Sequence, residues 1–342
     1  MYWLNKIFTS KGVINQINVI HNNIEVSLFD LGATIYSLKT RDSNNNLDNV
    51  VLELEEKEDY FKNDLYLNAT IGPHAGRIKN AEYSLNNKLY TLEKNHLSNN
   101  LHSGNDCFAK IIFDYEVIEE ENITKVVFLK AIPDNSRFPG NQKVKITYSV
   151  YETTLEIEHK VTTDHDTVIN LTNHAYFNLS GTTKDNVLSH TLQINSSNIV
   201  ETDESFVSKN IVNISKNMSF REEKALIGPV MLLRETNFRG IDHSYILDKI
   251  DYNLKQSTLF CDKTQRVMNV YTTYPIIHLY TDNFEHKETL ISQNGRLNMG
   301  ICFETQFMSN SINLNESSTT LKKDEIYHHF TKFEFSVRRR IK

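Results

Sequence analysis

Apolar and polar positions alternate with a period of two along most of the chain. In "QKVKITYSVYETTLEIEHKVTT", Val144, Ile146, Tyr148 and Val150 fall on one face, followed by Leu155, Ile157 and His159. Side chains of an extended strand point alternately to opposite faces, so each such run predicts a strand half buried against a core. The pattern returns in "HTLQINSSNIVET", "RVMNVYTTYPIIHLYTDN" and the closing "HHFTKFEFSVRR". "KIIFDYEVIEEENITKVVFLKAI" predicts two strands around a charged turn at 119–122, and "NNIEVSLFDLGATIYSLKT" predicts extended chain with a bulge or bend at Gly32. Helical periodicity is scarce; "LELEEKEDYFKND" predicts one short acidic helix. Many short strands with turns of Asn, Gly and Asp between them predict an all-β fold of stacked antiparallel sheets. No linker or fixed-period repeat divides the 342 residues, so one large β-sandwich domain over 1–342 is expected.

Composition narrows the function classes. A formal charge of −6 gives no general attraction to nucleic acid or to an anionic membrane, and the basic end (Arg338, Arg339, Arg340, Lys342) reads as a short solvated tail. The start "MYWLNKIFTSKG" has no secretory apolar region, and no run of about eighteen apolar residues is long enough to cross a bilayer. Three distant cysteines, Cys107, Cys261 and Cys302, make no disulfide framework, and reduced, cytoplasmic residence is expected. The composition leaves oligomeric state open.

Several chemistries are absent as patterns. No glycine loop of the phosphate-cradling or dinucleotide type occurs, so no nucleotide cofactor is expected. Zinc spacings are missing, and the adjacent pair His328 and His329 would face opposite ways in a strand, so no metal is expected either. "RDSNNNLDN" lacks the glycine and terminal glutamate of a calcium loop and reads as a polar turn. Five polar islands remain. "GPHAGRIKN" holds Arg77 among Gly72, Pro73 and Gly76, "NNLHSG" holds His102, "GIDHSYIL" holds Asp242 and His243, and "ICFETQFMSNSIN" holds Glu304 between Phe303 and Phe307. The fifth, "NLTNHAYFNLSG", alternates Leu171, Asn173, Ala175, Phe177 and Leu179 against Thr172, His174, Tyr176 and Asn178. One face of that strand can pack while the other lines a polar cleft. Taken singly, each island has a plain structural alternative: a loop ion pair for Arg77, a turn cap for His102, a backbone turn for Asp242, a satisfied core histidine for His174. Glu304 is different, because a carboxylate among apolar neighbours must be paired or desolvated, which makes it a candidate general base.

In this order the islands resemble the aldose 1-epimerases, or galactose mutarotases. That family's segments A-T-I-G leading to R-I, L-H-G-G, T-N-H-x-Y-F-N-L-x-G, D-H and E-x-Q correspond here to "NATIGPHAGRI", "NNLHSG", "LTNHAYFNLSG", "IDHSYIL" and "FETQ". Flanking similarity in "LFDLGATIYSL", "VVLELEEKEDY" and "RFPGNQKVKITYSV" extends the likeness over nearly the whole chain. The resemblance implies a single β-supersandwich with a sugar cleft on one concave sheet. It also implies interconversion of α and β anomers of a free aldose, galactose or glucose for example, with no cofactor. Carried over by position, Glu304 resembles the general base and His174 the general acid, while Arg77, His102 and Asp242 resemble sugar-hydroxyl contacts and Tyr176 lies beside the acid. Removing the C1 hydroxyl proton while protonating the ring oxygen needs such a pair, each member being worth roughly 10²–10⁴-fold in rate.

The chain departs from the family at four points. Gly76 stands where many members have Asn before the arginine, "LHSG" replaces L-H-G-G, and the aromatic that often follows is not evident in "NDCFAKIIF". His278, in "PIIHLYT", occupies a common glutamine position. Alternating with Ile277 and Leu279, His278 is read as facing the cleft, the outer sheet face being the alternative. Its pKa is expected to be lowered by Arg77 and His174. Two rival functions are a same-fold epimerase of a phosphorylated hexose, which would need further cations, and a noncatalytic carbohydrate-binding module, which would need no acid and base.

Overall fold

The computed structural model of the protein describes residues 1–181, 185–286, 290, 297–314 and 318–338. Within them three antiparallel sheets carry the architecture. The largest has nine strands in the order Asp114–Glu119, Thr124–Ile132, Gln142–Tyr151, Thr154–Thr163, Ile326–Val337, Arg266–Thr272, Ser257–Phe260, Thr191–Ile194 and Lys224–Ala225. A six-stranded sheet follows the order Tyr176–Phe177, Ile301–Gln306, Ile276–Tyr280, Asp242–Leu247, Ser196–Thr202, Ser208–Asn213. A five-stranded meander is built from Tyr2–Thr9, Gly12–His21, Ile24–Phe29, Thr34–Arg41 and Leu47–Asn49.

Turn chemistry explains why neighbours in sequence so often pair. Asn86 and Asn87, at φ 51° and 60°, form the two-residue connection of the hairpin Glu82–Leu85 to Lys88–Thr91, the geometry that matches strand twist. Asparagine tolerates this left-handed region better than other side chains do, which gives an asparagine-rich chain many such turns. Gly32, at φ 69°, bends the chain between two paired strands as expected, while the bulge itself lies at Ser27–Leu28. Asp42 closes its polar turn by accepting the amides of Asn44 and Asn46, each at 2.8 Å.

The core lies between the nine-stranded sheet and the other two. Val144, Ile146, Tyr148, Val150, Leu155 and Ile157 from the large sheet join Val26, Leu28 and Ile35 from the meander. Phe177, Tyr245, Ile277, Leu279, Ile301 and Phe303 from the six-stranded sheet complete the same cluster. Val144, Ile146, Tyr148, Val150, Leu155 and Ile157 are positions picked out by alternation, and each buried aliphatic or aromatic side chain contributes about 1.5–3 kcal/mol.

Some expectations change. The acidic segment makes only the 3-10 turn Lys57–Phe61, anchored by buried Tyr60. The α-helix is elsewhere, at Ile227–Leu233, in a stretch whose Gly228 and Pro229 hide it from periodicity. Pro229 sits in the first turn, where its missing N–H has no intrahelical partner to lose. Arg338 is no solvated tail: it grips Glu223 through two hydrogen bonds of 3.0 and 2.9 Å and lies over Phe260. The rest of the basic end lies outside the described residues. His328 and His329 do face opposite ways, one bonding Glu158 at 2.6 Å and the other stacking on Tyr274.

Candidate active site

Pairing register, more than any local motif, assembles the site. On one face of the six-stranded sheet Tyr176 pairs with Cys302, Cys302 with Tyr280 and Tyr280 with Asp242, making one row across four strands. Two residues along, Glu304 pairs with His278 and His278 with Ser244, making the next row. The alternate residues on those strands, among them Phe303, Leu279 and Tyr245, go into the core. The rows floor a cavity of about 190 Å³ whose lining includes Arg77, His102, His174, Tyr176, Asp242, His278 and Glu304. All seven candidate residues therefore meet in one place, including His278, which faces the cavity and not the outer sheet face.

The segment carrying His174 is not one strand. Thr172–Asn173 pairs with Thr70–Ile71, whereas Tyr176–Phe177 pairs with Ile301–Cys302. Where the chain changes partner, asparagine side chains replace the missing ladder bonds. Asn173 accepts from the Ala175 amide at 3.1 Å, Asn68 accepts from the Tyr176 amide at 3.0 Å, and Asn178 donates to Met299 O at 2.8 Å. Buried backbone groups must be paired, so the dense asparagines are the condition for lifting His174 out of the sheet.

His174 and Glu304 are both almost wholly buried, and His174 Nε2 lies 3.5 Å from Glu304 Oε1. The other ring nitrogen, Nδ1, faces Cys302 Sγ at 3.5 Å. Burial, with the charges of Glu304, Asp282 and Asp242, pushes the Cys302 thiol well above its ordinary pKa, so it stays protonated. Tyr176 stacks on the imidazole at 5.1 Å, and its hydroxyl donates to Leu65 O at 3.1 Å. Tyr176 thus supports the ring and walls the cavity, its phenol hydrogen being already engaged.

Local backbone strain presents His102 and Arg77. His102 and Ser103 have φ of 50° and 64°, and Ser103 takes the left-handed position of the family's glycine while bonding the His74 backbone. The Gly76 amide donates to His102 Nδ1 at 3.1 Å. Neutral imidazole has one acceptor nitrogen, so the His102 hydrogen sits on Nε2. Burial first, then the charges of His174, Arg77 and His278, hold the His102 pKa well below 6.5 and keep that tautomer. Arg77 lies 4.9 Å over the Phe206 ring and donates to His96 Nδ1 at 3.5 Å. Tyr66 packs on His102 at 4.7 Å, so Phe206 and Tyr66 supply the aromatic walls that "NDCFAKIIF" does not. Neither was legible in the sequence: both sit in loops at positive φ with no pattern around them.

Asp242 Oδ1 and His278 Nε2 are 2.9 Å apart, and His278 Nδ1 is 2.8 Å from Ser244 Oγ. Burial opposes ionisation of Asp242, but the His278 hydrogen bond and the charges of Arg77, His278 and His243 overcome it and hold the carboxyl below its usual range. The expectation for His278 is reversed. Burial would lower its pKa, yet the Asp242 hydrogen bond and the charges of Glu304 and Asp242 outweigh burial and Arg77, and the pKa is raised. Reasoning from the cations alone missed the carboxylates that strand register places on both sides of the ring. Ser244 was missed as a site residue, although its position two after Asp242 on a strand was the available signal.

Gly76, at φ 76°, has no room for a side chain: a Cβ there would lie 2.5 Å from Ser309 Cβ. Ser309, which also lines the cavity and bonds Ser208 at 2.8 Å, occupies the space an asparagine would take.

His102, His174 and Glu304 form the one group among the described residues whose potential metal-ligand atoms lie in mutual reach, within 4.8 Å. A metal on His102 Nε2 would need that lone pair and an Nδ1–H with an acceptor behind it. The Gly76 amide imposes the opposite arrangement. The set therefore suits a ligand oxygen better than a cation.

Known proteins resemble this chain over most of its length. The sequence model of a family described as Aldose 1-epimerase matches residues 15–334. The galactose mutarotase of Mus musculus is 30% identical over 339 residues, 95% of each chain. The aldose 1-epimerase of Haemophilus influenzae is 30% identical over 328 residues, covering 92% of this chain and 93% of its own. The crystal structure of galactose 1-epimerase from Lactobacillus acidophilus NCFM shares the fold, with a TM-score of 0.86 over 99% of both chains at 22% identity. With five sequence islands, one cavity and a family match over most of its length in agreement, the chain belongs to the aldose 1-epimerase family.

Proposed function

We propose that the protein is an isomerase that interconverts the α and β anomers of free aldohexoses such as galactose or glucose. The observation that carries this reading is the buried pair Glu304 Oε1 and His174 Nε2, 3.5 Å apart at the cavity floor. The C1 hydroxyl and the ring oxygen share one carbon, so the base and acid that serve them must converge in this way. Glu304 removes the C1 hydroxyl proton, the C1–ring-oxygen bond breaks, and the released electron pair takes a proton from His174. Rotation about C1–C2 presents the other carbonyl face. On closure the C5 hydroxyl returns its proton to His174 as it attacks C1, and the new C1 oxygen takes the proton back from Glu304. The cycle is redox-neutral and needs no cofactor.

The remaining candidates hold the sugar. Arg77 and the Nε2–H of His102 donate to sugar oxygens, Asp242 accepts from hydroxyls, and Tyr176 supports the acid; His278 is developed below. A phosphorylated hexose is less well served, because Asp64, Asp242 and Glu304 line the same cavity as Arg77. A pure binding module leaves the Glu304–His174 pair without a purpose. We also propose that residues 1–342 form one domain and that the protein resides in the cytoplasm, a placement supported by three buried, unpaired cysteines. Among the described residues no helix is long and apolar enough to cross a membrane.

Anomer exchange on freshly dissolved α-D-galactose and α-D-glucose, followed by polarimetry or NMR with a chelator present, tests the proposal. Acceleration over the spontaneous rate is expected; no acceleration with either sugar would overturn it.

A further inference from the structure

Ser244, His278 and Asp242 form a chain of hydrogen bonds along the cavity wall that acid–base ring opening does not use. Ser244 Oγ is 2.8 Å from His278 Nδ1, and His278 Nε2 is 2.9 Å from Asp242 Oδ1. All three line the cavity, and the His278 side chain keeps 18% of its surface exposed. Register fixes the arrangement: Ser244 and Asp242 are two residues apart on one strand, and His278 pairs directly with Ser244 on one side and Glu304 on the other.

Hydrogen counting gives this chain two states. An ionised Asp242 only accepts, so His278 keeps its hydrogen on Nε2 in both states and titrates at Nδ1 alone. When His278 is neutral, Nδ1 accepts the Ser244 O–H, and Oγ shows the cavity lone pairs only. When His278 is protonated, Nδ1–H donates to Ser244 Oγ, and the serine hydrogen turns into the cavity. We propose that Ser244 contacts the sugar directly and that the proton on His278 sets whether its hydroxyl donates or accepts there. The inference rests on the sugar reading above and adds a contact and a pH-dependent preference to it.

The surroundings support access to both states. Asp242 from the adjoining strand and Glu304 from the other flank His278, Arg77 and His102 line the same cavity, and His243, on the opposite face of the Asp242 strand, is near enough for its charge to act. The two carboxylates favour the imidazolium and Arg77 opposes it, with a net upward shift from 6.5. A glutamine at this position would not titrate, so the histidine adds a switch that an amide lacks.

A deoxyfluoro sugar discriminates the two states, because fluorine accepts weakly and cannot donate, whereas a hydroxyl adapts to either. Inhibition constants of a panel of singly deoxyfluorinated galactoses, measured against galactose turnover from about pH 5 to 9, are the test. For one fluorinated position, affinity relative to the parent sugar should fall about fivefold or more as pH rises, the scale of one hydrogen bond. Ser244→Ala and His278→Gln should each abolish that position-specific change, while pH effects common to every sugar of the panel remain. If no position shows the change in the native protein, or if Ser244→Ala retains it, the inference is wrong. Absence of turnover with both galactose and glucose in the native protein would instead overturn the epimerase reading, so the two failures are separable.

Discussion

Glu304→Gln separates chemistry from architecture. Glutamine keeps the volume and one oxygen of the side chain but cannot take a proton at neutral pH. Glu304 is 2% exposed and 3.5 Å from His174, so no bulk water can readily replace it as base. The loss should be ~10²–10⁴-fold in kcat, or about 3–5 kcal/mol in the barrier at ~1.4 kcal/mol per factor of ten. KM should change much less, since the amide still bonds sugar hydroxyls. Stability gives the control. Removing a buried carboxylate relieves desolvation but also removes its attraction for protonated His278, and these effects offset. For 342 residues at ~2.1 cal/mol/K each, 1 kcal/mol moves Tm by only about 1.4 °C, so a change within about 2 °C is expected. Polarimetry with α-D-galactose gives kcat and KM, and scanning calorimetry gives Tm. Near-native turnover would refute the assignment of the base; a large fall in Tm alongside kcat would refute the claim that Glu304 acts chemically instead of holding the fold.

Three further outcomes follow from other contacts. Cys302→Ala removes the partner of His174 Nδ1 and should lower kcat several-fold, with Cys302→Ser restoring it; an unchanged kcat would detach Cys302 from the acid. Gly76→Ala forces a Cβ to 2.5 Å from Ser309 Cβ at a positive φ and should lower stability by more than ~1 kcal/mol while raising KM through Arg77; denaturant melts with unaltered midpoint would contradict it. Stability should also depend on pH in two opposite senses. His278 binds its proton more tightly folded than unfolded, so its contribution is full below ~6.5 and fades as pH rises through the folded value. The Tm gap between native and His278→Gln should therefore shrink from pH 5.5 to pH 9, and a gap that widens would reverse the assignment. Buried His74, held down to about 3 by burial, takes up a proton on unfolding below ~6.5, so stability falls with acid from there towards 3 and His74→Leu should flatten that slope.

What the sequence by itself determined is the content of each strand and each polar island. A period of two sorts side chains onto two faces by local geometry alone, so Val144, Ile146 and Tyr148 could be placed together on one face and Glu304 set apart as a carboxylate among apolar neighbours. Similarity to a family then ordered the islands and supplied expected roles. Only the tertiary structure decided which strands are neighbours, and every electrostatic conclusion depends on that. His278 was expected to lose its proton because Arg77 and His174 were in view; pairing with Glu304 and Ser244, and the hydrogen bond to Asp242, reverse the result. The break after Asn173, the seating of Ser309 against Gly76, and the tautomer forced on His102 by the Gly76 amide likewise arise from residues distant in sequence. Periodicity acts over a few residues, whereas hydrogen-bond polarity and pKa depend on atoms within a few ångströms in space, and only the folded sheet brings Asp242, His278 and Glu304 that close.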